Sequence, residues 1–338
     1  MAILGIETTA HTASIGIVDE QARVLALVSD VYKPAAGGIH PREAANHHAE
    51  AFPALLERLA QEGKLHPSEI EGIAFSQGPG LGPCLRTGAT VARVLSLAWK
   101  KPLIPVNHCV AHIEIARILS GMEDPILLYA SGGNTQVVAF AHGRYRVLGE
   151  TLDIGVGNFL DKLAIEMGGT FPGGPLIEKW ALEGSRLLDL PYSVHGMDVS
   201  FSGLLTAAVA AHNSGVPRGD LAHSVQMTAF SMLCEVLERG LAHLGKSEVV
   251  LGGGVAANKV LRAMVEKMVA PRGVRAFAPP PSLCTDNGAM IAWTGLLALR
   301  NGITAEVEQS PVLPKERTDQ VEVRWRLSPR WAPQKPIP

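Results

Sequence analysis

The first apolar stretch, AILGIETT, closes in small polar residues, and two alternating stretches, TASIGIVDE and RVLALVSD, follow at short spacing. That pattern predicts three strands in a meander. PREAANHHAEAFPALLERLAQEG, residues 41–63, predicts a helix, with Pro near its start and Gly at its end. IEGIAFSQ predicts a strand, GPGLGP a tight loop, CLRTGATVARVLSLAWK a helix with an apolar stripe and PLIPV a short strand. NHCVAHIEIARILSG predicts a helix with Asn107 as its N-cap. The pattern then restarts. PILLYASGGNTQVVAFAHGRYRVLGET again reads as strand, glycine turn, strand, turn, strand, and helices are expected around 157–168, 174–184, 203–213 and 219–243. EVVLGGGVAANKVLRAMVEKM reads as strand, glycine turn and helix, and TDNGAMIAWTGLLALRNG as a last helix.

Two similar halves, each a meander continued by strand–helix units, predict two α/β lobes with room for a nucleotide in the cleft between them. The expected boundaries are 1–125 for the first lobe and 126–326 for the second, with the last helix, about 286–300, packing back on the first lobe. A Pro-rich tail, 327–338, is expected to be loose.

The 338 residues suffice for two domains and a large core, and 47% hydrophobic with 18% charged residues describes a compact globular chain. No apolar run reaches the roughly 18 residues of a membrane span, so no membrane association is expected. The opening MAILGIETTA lacks a basic region and a cleavage site for a signal peptide. Cys84, Cys109, Cys234 and Cys284 are scattered without a CxxC, which suits a reducing cytoplasm. A formal net charge of −2 is low for a chain that neutralises many phosphates alone. A nucleic-acid partner therefore requires a local basic patch or other subunits. Lys33, Arg42, Lys100 and Lys101 lie in or beside turns and helix ends, and His47 and His48 on a helix expected to be exposed; ordinary solvated surface is the alternative.

Candidate chemistry sits at the glycine turns and at one histidine pair. YASGGNTQV and LGGGVAAN place glycines where strands turn, so that backbone N–H groups can meet phosphates; a simple need for turn geometry explains either one equally well. Neither is a GxxxxGK[ST] loop or a full GxGxxG. FPGGP, 171–175, is a third tight turn, followed by Glu178; Asp161 in DIGVGNFLDK is either a ribose or base contact or a solvated helix residue. His108 and His112, four apart on a helix, share a face and can reach one ion. The HExxH pattern of zinc peptidases needs Glu at 109, where this chain has Cys. Further ligands must come from elsewhere; Tyr129 and Asp286 are candidates, Asp286 equally as an N-cap of the last helix.

GIETTAHTASIGI, GGIHPREAANHH, SQGPGLGPCLRTGATVAR, NHCVAHIE, YASGGNTQV, DIGVGNFLDKLA, FPGGP, VSFSGLLTA, GGGVAANKVLR and TDNGAMIA occur in this order over about residues 5–290. As a set they closely resemble the universal tRNA threonylcarbamoyladenosine-synthesis family, in its archaeal and eukaryotic branch, the catalytic subunit of the KEOPS complex. YASGGNT favours that branch, since the bacterial one typically has His for this Asn and no initial Tyr. Phe171, where Tyr is common, and the variable Thr8-Thr9 are small departures, expected to touch no proposed ligand. The resemblance implies a two-lobed α/β fold like that of actin, Hsp70 and sugar kinases (ASKHA), with a nucleotide and metal cleft. It implies one metal, iron or zinc, held by His108, His112, Tyr129 and Asp286. It further implies adenylate contacts from Tyr129, Ala130, Ser131, Gly132, Gly133, Asp161, Gly174, Glu178 and Asn258, with ATP or AMP binding. The implied reaction moves the threonylcarbamoyl group of threonylcarbamoyl-AMP to N6 of adenosine 37 in tRNAs reading codons that start with A. Implied partners are tRNA, an atypical small protein kinase/ATPase subunit and other small KEOPS subunits. No kinase domain follows residue 338, so that partner is expected as a separate chain. No side chain is an obvious covalent nucleophile, so direct transfer is expected. The rivals are a small-molecule kinase of the same fold, a metallopeptidase (an older reading of this family) and a non-catalytic scaffold.

Overall fold

A computed structural model describes residues 2–34 and 37–327. Its first half runs β1 (Ala2–Glu7), β2 (Thr12–Asp19), β3 (Val24–Val31), α1 (Pro41–Gln61), β4 (Ile70–Gly78), α2 (Gly82–Trp99), β5 (Leu103–Asn107) and α3 (His108–Ser120). The second runs β6 (Ile126–Ala130), β7 (Thr135–Ala141), β8 (Arg144–Glu150), α4 (Val156–Glu166), α5 (Gly174–Ala181), β9 (Val194–His195), β10 (Asp198–Val199), α6 (Ser202–Asn213), α7 (Arg218–Leu244), β11 (Glu248–Gly252), α8 (Lys259–Val269), β12 (Arg275–Phe277), α9 (Pro281–Cys284) and α10 (Gly288–Arg300). The helices start and stop within a few residues of the positions expected from the pattern. The short β9–β10 pair was not legible in it, being two residues per strand.

The two halves repeat one topology. The first sheet has the order β3-β2-β1-β4-β5, and the second, read from its meander edge, β8-β7-β6-β11-β12. In each, the meander pairs antiparallel, and the strand–helix units add two parallel strands beside the meander's first strand. Alternation along β1 explains why it is buried on both faces: Leu4 and Ile6 point into a core with α1 and α2, and Ile3 points the other way. On the far side of the second sheet, Leu128 and Val137 pack with α4, α5, α7 and α8.

Between the sheets lie α3 and α10. One apolar cluster joins Ile3, Ala74 and Ile104 of the first sheet, both helices, and Leu127, Tyr129 and Val250 of the second. The last helix packs against β1 and β2, although its chain position follows the second sheet. Its approach needs glycine: a Cβ on Gly5 would lie 2.2 Å from the Ala292 backbone N, and one on Gly16 2.2 Å from the Ala289 N. From α10 the chain returns as a strap. The Leu313 N–H donates to Gln77 O at 2.8 Å, Gly80 N–H to Pro314 O at 3.2 Å, and Arg317 pairs with Glu150 at 3.6 Å. Of the expected Pro-rich tail, residues 328–338 lie outside the described residues. Among the described residues, no helix is long and apolar enough to cross a membrane.

The strap ends by closing a buried polar network on α3. Glu114 Oε1 accepts from Tyr145 OH at 2.7 Å and Trp325 Nε1 at 2.8 Å, and Oε2 accepts from Arg117 Nε at 2.8 Å. Burial alone would raise the Glu114 carboxyl; Arg117, Trp325 and Tyr145 more than offset it and hold the carboxyl below its ordinary value. Because the folded value is depressed, this stabilisation is present above about pH 4.3, the unfolded Glu value, and is lost as pH falls through the folded value. Glu114→Ala removes the buried carboxylate that pairs with Arg117. It should cost about 3–5 kcal/mol in urea unfolding at pH 7, with a smaller difference from wild type at acid pH. A loss below about 1 kcal/mol would show that the network does not hold the strap.

Candidate metal centre and cleft

β5 runs without a loop into α3. Asn107 is both the last strand residue and the N-cap: its Oδ1 accepts from the Val110 N–H at 3.1 Å, and its Nδ2 donates to Glu316 Oε2 at 2.9 Å. The helix therefore starts at His108, and its first turn points His108 and His112 toward the same side, with ring centroids 4.7 Å apart. Residues 108–118 are all buried, so neither imidazole lies at an open cleft surface: His108 is 4% and His112 1% exposed.

Three elements meet there. Asp286, between α9 and α10, places Oδ1 at 3.4 Å from His108 Nε2 and 3.3 Å from His112 Nε2. Tyr129, near the end of β6, puts its hydroxyl 3.1 Å from His108 Nε2. Asp286 does not cap the last helix; Asn287 does, accepting from the Met290 N–H at 2.9 Å. Burial alone would raise the Asp286 carboxyl, but His108 and His112 more than reverse that and hold it below the usual carboxylate range. His112 is pushed down, mostly by burial. Burial also pushes His108 down, and Glu7 and Asp286 overcome it and bring it up to about 9. Tyr129 is held well above 10 by burial, then by Cys109 and Asp286.

The donor set fits a cation. One ligand atom each from His108, His112 and Asp286 lie within 4.8 Å of one another. Ligands about 2.0–2.2 Å from a tetrahedral ion are themselves roughly 3.3 Å apart, close to the 3.4 and 3.3 Å that separate Asp286 Oδ1 from the two imidazoles. The outer groups fit as well. Glu7 Oε2 sits 3.0 Å from His108 Nδ1, and Thr9 Oγ1 3.3 Å from the same atom. An Nδ1–H donated to Glu7 leaves the Nε2 lone pair for the ion. The expectation that Thr8-Thr9 touches no proposed ligand is thus corrected: Thr9 Oγ1 reaches His108 within the first lobe, because the β1–β2 turn folds over the start of α3. Glu7 and Thr9 carry no signal in their spacing to residue 108; only the sheet register brings them there.

The glycine turns line the neighbouring space. In SGGNT the Ser131 N–H donates to Asn134 O at 2.9 Å, closing the turn, and Ser131 O accepts from the Gly157 N–H at 3.0 Å, docking it on the start of α4. Added Cβ atoms at Gly133 and Gly254 meet nothing within 4 Å, so both turn edges face open space, and Gly174 has only Leu160 at 4.0 Å. The other expected contacts are engaged with the protein. Asp161 is not a solvated helix residue: its Oδ1 accepts from the N–H groups of Gly173 at 2.7 Å and Gly174 at 3.3 Å, and burial raises its carboxyl. Glu178 Oε1 accepts from the Lys259 N–H at 2.8 Å, and Asn258 caps α8 and donates to Gln226 at 2.9 Å. The basic patch loses one member, since His48 is fully buried and bonds Ala10 O at 3.0 Å.

The chain matches the family described as TsaD, tRNA N6-adenosine threonylcarbamoyltransferase, over residues 23–293. It is 55% identical over 326 residues to the protein of that name from Thermococcus kodakarensis, covering 96% of this chain and 100% of that one. The chain belongs to the TsaD family. Its members are transferases, so the chain is an enzyme of that class. The namesake from Archaeoglobus fulgidus is 54% identical over 96% of this chain and 100% of its own. A probable bifunctional tRNA threonylcarbamoyladenosine biosynthesis protein of Methanocaldococcus jannaschii is 53% identical, and the chain spans 60% of its length. Among solved structures, T. kodakarensis HypF superposes with a TM-score of 0.61 at 15% identity, over 89% of this chain and 48% of HypF. The activator of 2-hydroxyisocaproyl-CoA dehydratase from Clostridium difficile gives 0.52 at 12%, over 89% and 97%. These likenesses show the expected two-lobed ASKHA-like fold.

Glu7→Ala should lower metal affinity about 10–100-fold by freeing the His108 ring, read by competition with a chromogenic chelator. Unchanged affinity would exclude Glu7 as the residue that orients His108.

Proposed function

We propose that this TsaD-family chain transfers the threonylcarbamoyl group of threonylcarbamoyl-AMP to N6 of adenosine 37 in tRNAs reading codons that begin with A. The observation that carries the reading is the end-to-end likeness to threonylcarbamoyltransferases, 55% over 326 residues. The convergence of His108, His112, Tyr129 and Asp286 beside open glycine turns supports it. These four residues hold iron or zinc, for which imidazole, phenol and carboxylate are suitable donors. When bound, the ion orients the acyl donor and offsets charge that develops on it.

The chain's own groups do the remaining work. Behind Tyr129 and Ala130, which are buried at the end of β6, the turn Ser131, Gly132, Gly133 and the edge at Gly254 expose backbone to an adenylate, whose departing phosphate N–H groups can stabilise. Asp161 and Glu178 hold the walls: one pins the FPGGP turn at Gly173 and Gly174, the other ties α5 to the start of α8. The adenylate is then fixed by positioning more than by covalent chemistry. Cys109 offers no nucleophile, because burial drives its thiol up to about 12 and its sulfur meets the Asn134 amide at 3.8 Å.

The chain works with other subunits in this reading. Its net charge is −2, and Lys33, Arg42 and Lys100 are exposed but few. The longer relatives named bifunctional support a second component beside this one, and the partners in this reading are an atypical small protein kinase/ATPase subunit and other small KEOPS subunits. A cytoplasmic setting, where tRNA is modified, belongs to the same reading.

Two results test it. With partner subunits, threonine, bicarbonate, ATP and the adenylate-forming enzyme, wild type should convert unmodified tRNA, read by nucleoside analysis. His108→Ala with His112→Ala should lose the metal, read by elemental analysis, and the transfer with it; an unchanged metal content would sink the site. In filter binding, the isolated chain should hold tRNA weakly at physiological salt. Partners should tighten it, with a steep salt dependence from phosphate contacts. Tight binding without partners would place the RNA surface on this chain.

A further inference from the structure

Transfer to an exocyclic amine releases a proton, and the groups described so far are engaged elsewhere. His108, His112, Asp286 and Tyr129 face one another as the metal set. Both Glu7 oxygens are committed, Oε1 to the Thr9 N–H at 2.6 Å and Oε2 to His108. Asp161 holds two backbone N–H groups through one oxygen, and Glu178 one.

His11 is different. It sits in the β1–β2 turn, two residues after Thr9, which touches His108. Its ring lies edge-on to Phe171, at 5.4 Å between centroids, so it bridges from the first lobe to the FPGGP turn of the second. Its Nδ1 is buried and has no hydrogen-bond partner. The backbone around it is fixed at each step. The Thr8 N–H donates to Ser76 Oγ at 3.1 Å, Thr9 O accepts from the Leu81 N–H at 2.7 Å, Ala10 O bonds His48 Nε2 at 3.0 Å, and His11 O accepts from the Tyr32 N–H at 2.8 Å. The backbone of this turn is paired throughout, whereas two of its buried side-chain atoms, Thr8 Oγ1 and His11 Nδ1, are not, although buried polar atoms are usually satisfied; the His11 ring is therefore held by its backbone and by Phe171 and not by hydrogen bonds of its own. The charged groups facing His11 are Asp161 of α4, Asp286 ahead of α10 and His48 of α1.

We propose that His11 is the proton acceptor of the transfer. Resting on the threonylcarbamoyltransferase reading, the step balances as follows. The N6 lone pair forms the new C–N bond to the carbamoyl carbon. The C–O bond to the phosphate breaks, and its electron pair leaves on AMP. The proton lost by N6 passes to His11 Nε2, the ring nitrogen that the protein leaves accessible, in the tautomer that carries hydrogen on the buried Nδ1, and the imidazolium later returns it to water. The metal ligands orient the donor from one side of the cleft, and His11 takes the proton between the two lobes.

The test is single-turnover transfer from preformed threonylcarbamoyl-AMP to tRNA by the complete complex, across pH. Bound metal is counted at each pH, because loss of the ion would mimic an acid limb. Wild type should show a rate that falls on the acid side while metal stays bound. His11→Gln should be slower by about 10²–10⁴-fold, lose that limb and keep adenylate affinity within about twofold of wild type, the expectation for a group that acts only in the transition state. His11→Ala should regain part of its rate with added imidazole. A wild-type rate without an acid limb overturns the proposal, and this reading needs no variant to fold. A full rate in His11→Gln overturns it too, as does a loss of affinity that accounts for the loss of rate, which would make His11 a binding residue. A wild-type complex that forms no product would instead overturn the functional reading, and this inference with it.

Discussion

A helix buried on every side cannot leave its polar side chains without partners at little cost, and α3 carries five: His108, Cys109, His112, Glu114 and Arg117; each finds at least one partner, although His112 Nδ1 stays unpaired. Burying a polar atom without a hydrogen bond costs about 1–3 kcal/mol, more for a charge. Each of these side chains therefore dictates what surrounds it. At the first turn, the need is met by Glu7 and Thr9 from one sheet, Tyr129 from the other and Asp286 from the segment that leads into α10. About two turns on, it is met by the pairing of Glu114 with Arg117, Tyr145 and Trp325. The two sheets, the last helix and the strap are held in register by the requirement to satisfy this one helix.

The same requirement links stability to the site. A cluster made from four separate stretches of chain is assembled only when the lobes are closed on α3, so its geometry reports the fold. The strap contributes at a distance. Glu316 meets the N-cap Asn107 immediately before His108, and Trp325 meets Glu114 farther along the same helix. The helix is thus fixed at both ends along its length, which keeps His108 Nε2 aimed at Asp286 and Tyr129, the kind of support that sites built on rigid elements need.

Much of this was legible in the chain, and the unread part has a common cause. Local periodicity gave the meanders, the helices and the repeat, because each depends on neighbours in sequence. Asn107 as N-cap and the face shared by His108 and His112 are also local. Glu114 and Arg117, three apart, carry the spacing of an ordinary solvated pair; nothing near them in sequence says that Tyr145 and Trp325 will bury them. Glu7 and Thr9 read as the end of a strand and the start of a turn. Their role appears only when β1 pairs parallel to β4, and β4 to β5, so that the β1–β2 turn stands over the first residue of α3. His48 was misread for a related reason: α1 is amphipathic, and the His48 position belongs to the face that packs inward, where Ala10 O receives it.

The arrangement also bears on why two imidazoles on this helix suit group transfer better than hydrolysis. A peptidase helix of this spacing carries a carboxylate beside the first histidine to activate water. Here Cys109 takes that place, turned toward Asn134, with a thiol that burial pushes up to about 12. Glu7 is the carboxylate nearest His108 on its other side, yet both of its oxygens are engaged, one by a backbone N–H and one by the ring it orients. Activation of water by either residue would require breaking a buried contact that the fold depends on. A nucleophile brought in by a second substrate carries no such cost, since it needs only a positioned donor and an acceptor for its proton. In the proposed reaction the fixed groups on α3 and the glycine turns serve the donor, and the open turn edges at Gly133 and Gly254 leave room for the second substrate to approach.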